Sequence, residues 1–354
     1  MSKIYILLWT SFISITNKSI KNFLNKIKVD KNNNAIKITS NSKDLMIFNG
    51  MDELYYENHE KNVQKIITIK DFSSCNLLKI ISNDSYIGLL FNDSQGKIVI
   101  IDKLDFSVKY NTIDDIITNG VWLMNNQLVV TNINNGISCY KTNGEIIWHH
   151  NQTYSKLIYN GNQNLIFDKY IYWVFNNNLI YIVDPIRGTI EEDISLGDKI
   201  IINVTIGSNN LIIITNKSIE IYDKNTISLK KTINNIYPLS SGIINNNQLY
   251  CHDNKNLLIC NLNDYTMETI PLKHESVSIR LLDPLILYDM VIMATIAGKW
   301  YIVYNKKVHV IDQWKLWSNV LPAVYYNNIY FYQNFSTECF NIISKEDILK
   351  LIKN

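Results

Sequence analysis

His149-His150, directly after Trp148, is the pair most easily taken for a metal site. Neighbours on a strand point to opposite faces, so these two imidazoles cannot chelate one ion. No second cluster supplies the rest of a coordination sphere. His59, His252, His274 and His309 stand singly and read as turn or surface residues rather than general bases. No Gly-x-Ser-x-Gly elbow presents a serine nucleophile, and neither Gly-x-Gly-x-x-Gly nor a P-loop phrase is there to hold a nucleotide. Glu191-Glu192-Asp193 reads as a solvated turn, not an acid/base pair. Cys75, Cys139, Cys251, Cys260 and Cys339 contain no C-x-x-C pair for zinc or redox work. Cys251 and Cys260 flank a turn at Asn254-Lys255 and could face each other across a hairpin, but the odd total and the narrow geometry of cross-strand bridges favour thiols. The chemistry-bearing residues therefore predict no catalytic site, no metal and no cofactor.

What remains is architecture. With 34 basic and 32 acidic side chains the chain of 354 residues is nearly neutral, and its dispersed lysines form no basic stripe for nucleic acid. A hydrophobic share of 47% against 19% charged residues supports a large core and excludes general disorder. The start, Met1-Ser2-Lys3 and the apolar run Ile4 to Ile15, has the charge and length of a signal-peptide n-region and h-region but lacks an A-x-A-like cleavage site. It is read either as an export or anchoring segment or as a buried N-terminal strand or helix. No later stretch reaches the roughly 20 apolar residues of a spanning helix.

From about residue 35 one phrase recurs: an apolar run, an Asn-rich polar turn, a second apolar run, another turn and a third run. Tyr86 to Phe91, Ile98 to Asp102 and Phe106 to Val108 make one copy. The second runs end at Asp102, Lys141, Asp184, Asp223, Asn261, Tyr304 and Asn341, steps of roughly 40 residues, the period of a four-stranded propeller blade. An earlier copy, Leu45 to Phe48 with Leu54 to Tyr56, brings the count to about eight. Continuous runs such as Leu211-Ile212-Ile213-Ile214 suit strands buried on both faces by neighbouring sheets. Only Ser344 to Lys353 and Ser19 to Lys28 read as helices. The fold class expected is all-β: a closed β-propeller of seven to eight four-stranded antiparallel blades, with residues 31–354 as one domain and residues 1–30 as an N-terminal segment.

Cys139-Tyr140-Lys141-Thr142-Asn143-Gly144-Glu145-Ile146-Ile147-Trp148 resembles the repeat of the PQQ-like (quinoprotein-type) propellers, in which an Asp-x-x-Thr-Gly-Lys-x-x-Trp phrase joins the third and fourth strands of a blade. Val183-Asp184-Pro185-Ile186-Arg187-Gly188-Thr189-Ile190 is similar but lacks the tryptophan, and Tyr222 to Thr226 and Ile101 to Asp105 are weaker echoes. Gly144 and Gly188 suit turn positions of positive φ, Asp184 belongs to the same phrase, and Trp148 offers a large ring to wedge between blades. No Trp-Asp dipeptide marks a WD40 repeat and no paired glycines mark a kelch repeat.

Within the superfamily, size and blade count resemble the BamB family, the non-catalytic propeller component of bacterial outer-membrane protein assembly, usually a periplasmic lipoprotein. The segment Ser276-Val277-Ser278-Ile279-Arg280, ahead of Pro284 and Ala297-Gly298-Lys299, is reminiscent of that family's partner-contact loop, which makes Ser278 and Arg280 the implied partner-binding residues. It lies later in the chain than the family's loop, and no cysteine before Cys75 could accept a lipid. Arg280 is otherwise an ordinary blade-edge residue paired with Asp283. The resemblance implies a monomeric, non-enzymatic scaffold that binds other proteins at or near a membrane. An intracellular propeller platform is the alternative, and a quinone-dependent dehydrogenase the least favoured reading.

Overall fold

The computed structural model describes residues 37–353 apart from residues 42, 51, 59, 70–74, 93–94, 134–135, 152–164, 177, 273–280, 296–297, 313–321, 326–327 and 334–338. Eight antiparallel sheets follow one another along the chain, each with its strands in sequence order. Blade 1 comprises β1 (Lys37–Ser40), β2 (Asp44–Phe48), β3 (Glu53–Asn58) and β4 (Val63–Thr68). Blade 2 comprises β5 (Asn76–Ser82), β6 (Tyr86–Asn92), β7 (Gly96–Asp102) and β8 (Val108–Ile113). Blade 3 has β9 (Ile117–Trp122), β10 (Leu128–Asn132), β11 (Gly136–Tyr140) and β12 (Ile146–His150). Blade 4 has β13 (Leu165–Phe167), β14 (Ile171–Asn176), β15 (Leu179–Val183) and β16 (Ile190–Ser195). Blade 5 contains β17 (Ile201–Ile206), β18 (Asn210–Thr215), β19 (Ser218–Asp223) and β20 (Leu229–Asn234). Blade 6 contains β21 (Ile243–Asn245), β22 (Gln248–His252), β23 (Asn256–Asn261) and β24 (Met267–Pro271). Blade 7 is β25 (Leu285–Leu287), β26 (Met290–Ala294), β27 (Trp300–Tyr304) and β28 (Lys307–Ile311). Blade 8 has three strands among the described residues, β29 (Ala323–Tyr325), β30 (Asn328–Gln333) and β31 (Cys339–Ser344). The chain is an eight-bladed β-propeller. The period of the apolar runs predicts this class with seven to eight blades, and the early copy at Leu45 is a full four-stranded blade.

One helix, α1 (Lys345–Lys353), follows β31 where the sequence predicts it. Ser344 caps it: its hydroxyl accepts the Asp347 N–H at 3.2 Å while the Asp347 carboxylate accepts the Ser344 N–H at 3.3 Å. The other expected helix, Ser19 to Lys28, and the whole of residues 1–30 lie outside the described residues.

The chain divides into two compact units. The larger holds blades 2 to 7, and inner strands there divide their side chains between the blades on either side. On β10, Leu128 and Val130 enter a cluster with Ile81, Leu90 and Ile98 of blade 2, whereas Val129 enters one with Leu165, Ile171 and Trp173 of blade 4. Blade 5 divides likewise: Leu211 and Ile213 join blade 4, and Ile212 and Ile214 join blade 6. A sheet with two apolar faces cannot be stable alone, so the blades stack. Second strands are accordingly buried along their length, while fourth strands such as β16 and β20 are mostly exposed. Glu191-Glu192-Asp193 is thus the solvated edge strand β16 and not a turn, because an outermost strand keeps one side in water and tolerates charge. In the smaller unit blades 1 and 8 meet, and the Ser40 hydroxyl donates to the Val324 carbonyl at 2.7 Å.

One turn joins third to fourth strands in blades 2, 4, 5 and 6. Its first residue, Asp102, Asp184, Asp223 or Asn261, donates its N–H to the carbonyl five residues on, at 2.8–3.0 Å. Its side-chain oxygen accepts N–H groups inside the turn, from Leu104, from Ile186 and Arg187, from Asn225 and Thr226, or from Asn263. The fifth residue has positive φ: Phe106 at 61°, Gly188 at 71°, Ile227 at 54° and Tyr265 at 61°. Ile227 and Tyr265 pack their side chains into the clusters shared with the preceding blade, which offsets the strain of a left-handed non-glycine residue. At Gly188 the space is filled from the other side. A Cβ there would lie 2.4 Å from the ring of Trp148, whose indole N–H donates to the Pro185 carbonyl at 3.0 Å.

Trp148 and Gly188 should therefore be coupled energetically. Trp148→Ala is expected to cost about 3–5 kcal/mol, the range for aromatic truncation in a core. Gly188→Ala should destabilise through both its φ and the ring, and the double variant should be more stable than the two losses added together. Denaturant unfolding of the four proteins measures this; strictly additive losses would show that the ring and the turn do not share one space.

Candidate functional site

Two ends of the blades in the larger unit carry different loops. At one end the first-to-second and third-to-fourth turns interlock: Lys103 donates its N–H to Ser85 O at 2.8 Å, Lys224 to Asn209 O at 3.3 Å and Leu262 to Asn247 O at 2.9 Å. Contacts also run between blades there, from Asn83 Nδ2 to Asn126 Oδ1 at 3.0 Å and from Lys224 Nζ to Asp168 Oδ2 at 2.8 Å. At the other end the second-to-third turns bond the connectors between blades, as from Gly96 N to Asp115 O and from Leu272 N to Lys255 O, both at 2.8 Å. A rigid base therefore holds the loop tips of each end.

The first of these ends carries the most exposed apolar side chains. Leu104 in blade 2 is 92% exposed, Met124 in blade 3 is 87% exposed and Ile186 in blade 4 is 77% exposed. Leu104 and Ile186 stand at the same position of the recurrent turn, two residues after Asp102 and Asp184. The turn is braced by its own hydrogen bonds, so the side chain at this position projects without a partner to pack on. Beside Ile186, Arg187 makes exposed ion pairs with Asp184 at 3.2 Å and Glu191 at 3.4 Å. The backbone N–H of Arg187, then that of Ile186 and the guanidinium, hold the Asp184 carboxyl below the usual carboxylate range. This end can offer apolar knobs framed by charge to another surface.

The residues singled out from sequence fall as follows. Trp148 is buried on β12 against blade 4, and Gly144, at φ 89°, closes the β11–β12 turn by donating its N–H to Lys141 O at 3.0 Å. Asp184 and Gly188 form the turn under Trp148. Ser278 and Arg280 lie outside the described residues, as does the whole Ser276 to Arg280 segment. Asp283, the partner considered for Arg280, accepts the Ser241 N–H at 2.9 Å. His149 is exposed, paired across the ladder with Ser138 and hydrogen-bonded to its hydroxyl at 2.9 Å, while His150 sits opposite Ile137. His59 and His274 lie outside the described residues. His252 is fully buried rather than a surface residue. Its Nε2 lies 3.0 Å from Leu282 O and its Nδ1 accepts the Asn254 N–H at 3.2 Å, so the neutral Nε2–H form ties blade 6 to the entry of blade 7. Cys251 pairs with Leu258 and Cys260 with Leu249, which places the two sulfurs off the directly opposed positions, and both are buried thiols. No group of three or more His, Cys, Asp or Glu that could hold a metal occurs among the described residues.

The sequence reading passed over several buried charges. On β5 the bulge residue Leu78 is followed by Lys79, whose ammonium donates to Asn119 Oδ1 at 2.7 Å and Gly120 O at 3.4 Å on β9. Asn119 and Asn203 follow bulges at the same place on β9 and β17, and Lys37 stands three residues before the end of β1 as Lys79 does on β5. Burial lowers the pKa of both lysines, that of Lys79 to about 8. The signal was available: a lone cation interrupting Leu77-Leu78-Lys79-Ile80-Ile81. Glu220 on β19 is buried and paired with Lys199. Desolvation alone would raise its pKa, but Lys199 and the Thr232 and Ser218 hydroxyls outweigh it and hold the carboxyl low. Glu57 on β3 is 3% exposed with Oε2 unpartnered, and burial raises its pKa from 4.5 to about 7 against the weaker pull of a Gln64 hydrogen bond.

No family model matches the chain, and no curated protein matches it. Solved structures do. BamB from Moraxella catarrhalis superposes with a TM-score of 0.67 at 10% identity, over 86% of this chain and 95% of that one. The C-terminal WD40 domain of Sif2 gives 0.63 at 10% identity, over 88% and 96%. A chain of a mitotic checkpoint complex gives 0.54 at 13% identity, over 76% and 88%. At such identities the likeness is one of fold: the same propeller serves proteins of unlike sequence.

Glu57 makes stability depend on pH. Its carboxyl is protonated in the folded protein at pH values where the unfolded chain has lost that proton, so stability falls as pH rises from about 4.5 to about 7 and is flat above. Glu57→Gln removes the cost. It should stabilise the protein by about 3 kcal/mol above pH 7 and by almost nothing at pH 4.5, measured by denaturant unfolding across that range. A gain of equal size at both ends would place the effect outside this carboxyl's titration.

Proposed function

We propose that this protein is a non-catalytic scaffold that binds other proteins, with a BamB-like role in assembling outer-membrane proteins from the periplasm or the membrane surface. The observation that carries the scaffold reading is the set of exposed apolar tips, Leu104, Met124 and Ile186, at one end of blades 2, 3 and 4. Strand side chains are consumed by packing between blades, so the surfaces left for recognition are the loops. Apolar knobs framed by hydrogen-bonded polar turns suit a broad contact better than a dry reaction pocket. The outer-membrane role is supported by the resemblance of the Lys141 to Trp148 and Asp184 to Gly188 phrases to the PQQ-like repeat, and by the similarity of fold to BamB. No helix among the described residues is long and apolar enough to cross a membrane. A second reading, an intracellular interaction platform, draws on the buried thiols Cys75, Cys139, Cys251 and Cys260.

The test uses photo-crosslinking side chains placed at positions 104, 124 and 186, on the exposed β20 at Lys231 as a control, and at Arg280, in the native cell. The proposal expects one defined protein to be captured from the loop tips, and from Arg280 if the segment around it joins the contact, but not from Lys231. Capture of an outer-membrane assembly component together with periplasmic fractionation supports the BamB-like role; a cytosolic partner supports the platform. Equal, unspecific adducts at all positions would remove the loop tips as the docking surface.

A further inference from the structure

We propose that Lys79 and Asn119, on the first strands of blades 2 and 3, form a binding site for a carboxylate. Lys79 Nζ has three N–H donors and spends two, on Asn119 Oδ1 at 2.7 Å and Gly120 O at 3.4 Å. Asn119 Oδ1 also accepts the Gly120 N–H at 2.7 Å. With two donors converging on that oxygen, the amide must turn its NH2 away from both, and no described acceptor takes it. Among the described residues, then, one ammonium N–H and the Asn119 NH2 have no acceptor, and no carboxylate pairs with either. Gly120 leaves room for the Leu90 side chain of β6 to pack on β9: a Cβ there would stand 2.7 Å from Leu90 Cδ1 and 3.3 Å from Val129 O of β10.

The charge balance points the same way. Glu220, a buried carboxylate of the same unit, is neutralised by its ion pair with Lys199. Among the described residues no carboxylate pairs with Lys79, and burial lowers its pKa. A cation held in that state is costly unless something anionic completes it. Lys79 is not sealed in, since part of the residue remains exposed. A planar carboxylate can accept from the ammonium and the amide together, with its charge opposite the lysine. Such a group could come from a small organic acid or from an acidic side chain or chain end of a protein. This site does not rest on the loop-tip reading, which could fail without touching it.

The experiment uses the full chain. Unfolding temperature is followed while acetate, or separately a short glutamate-rich peptide, replaces chloride at constant ionic strength; in parallel, trinitrobenzenesulfonate labelling of Lys79 is read by mass spectrometry. Both carboxylates should raise the unfolding temperature of the wild type and slow labelling of Lys79 at least about tenfold relative to surface lysines such as Lys231. Lys79→Met and Asn119→Leu should lose the response to carboxylate. Saturation by the peptide at concentrations about tenfold or more below acetate assigns the source to a protein chain, and equal potency per carboxylate assigns it to a small acid. If acetate and peptide leave the unfolding temperature and the labelling of the wild type unchanged, Lys79 is only a tie between blades and the site does not exist. Because that outcome is read on the wild type, it holds even if the variants fail to fold.

Discussion

Every feature of this protein depends on sheets whose two faces are both apolar. On β10 the side chains of Leu128 and Val130 belong to one neighbour and Val129 to the other, and β18 repeats the division with Leu211 and Ile213 against Ile212 and Ile214. Each such side chain contributes about 1.5–3 kcal/mol when removed from water, but only if the next blade is in place. The stack is thus the smallest stable object. Its outer strands escape this rule and carry Glu191, Glu192, Lys230 and Lys231, which also discourages edge-to-edge pairing with other chains.

Packing of this kind leaves little room for chemistry on the strands. Two polar groups that enter the stack are tied down, Glu220 to Lys199, Thr232 and Ser218, and His252 to Leu282 and Asn254. Each fixes one blade or joins it to the next. Lys79 differs in having only neutral acceptors, and it sits on a first strand beside a bulge, the kind of irregularity that re-aims a side chain. The loop tips differ in another way, since Leu104 and Ile186 project from turns braced by Asp102 and Asp184. Both places are free of the packing that consumes the strand side chains around them.

The blades were legible in the sequence because burial on both faces writes continuous apolar runs, and runs of Ile and Leu separated by Asn-rich turns recur at a fixed spacing. The turn phrase was legible too, even in its weak copies at Asp102 and Asp223, since an Asx side chain has to cap it. Other features could not be read. Ile227 and Tyr265 occupy a left-handed position that sequence rules reserve for glycine, because packing against the preceding blade overrides the local preference. Cys251 and Cys260 looked opposed across a hairpin, yet register depends on where the ladder starts and sets each against a leucine. Exposed apolar residues at loop tips have the same letters as core residues, so Leu104, Met124 and Ile186 gave no signal. Lys79 does give one, a charge inside Leu77-Leu78-Lys79-Ile80-Ile81, but that run does not show which groups surround the ammonium.

Amide hydrogen exchange in mild denaturant tests the two-faced stack most directly. If no blade of the larger unit is stable without its neighbours, the amides of β6, β10, β14, β18, β22 and β26 should open with one common denaturant dependence, while the turns at Leu104, Met124 and Ile186 exchange early. A single blade exchanging well before its neighbours, with their protection unchanged, would show that its faces do not need them and would contradict the account.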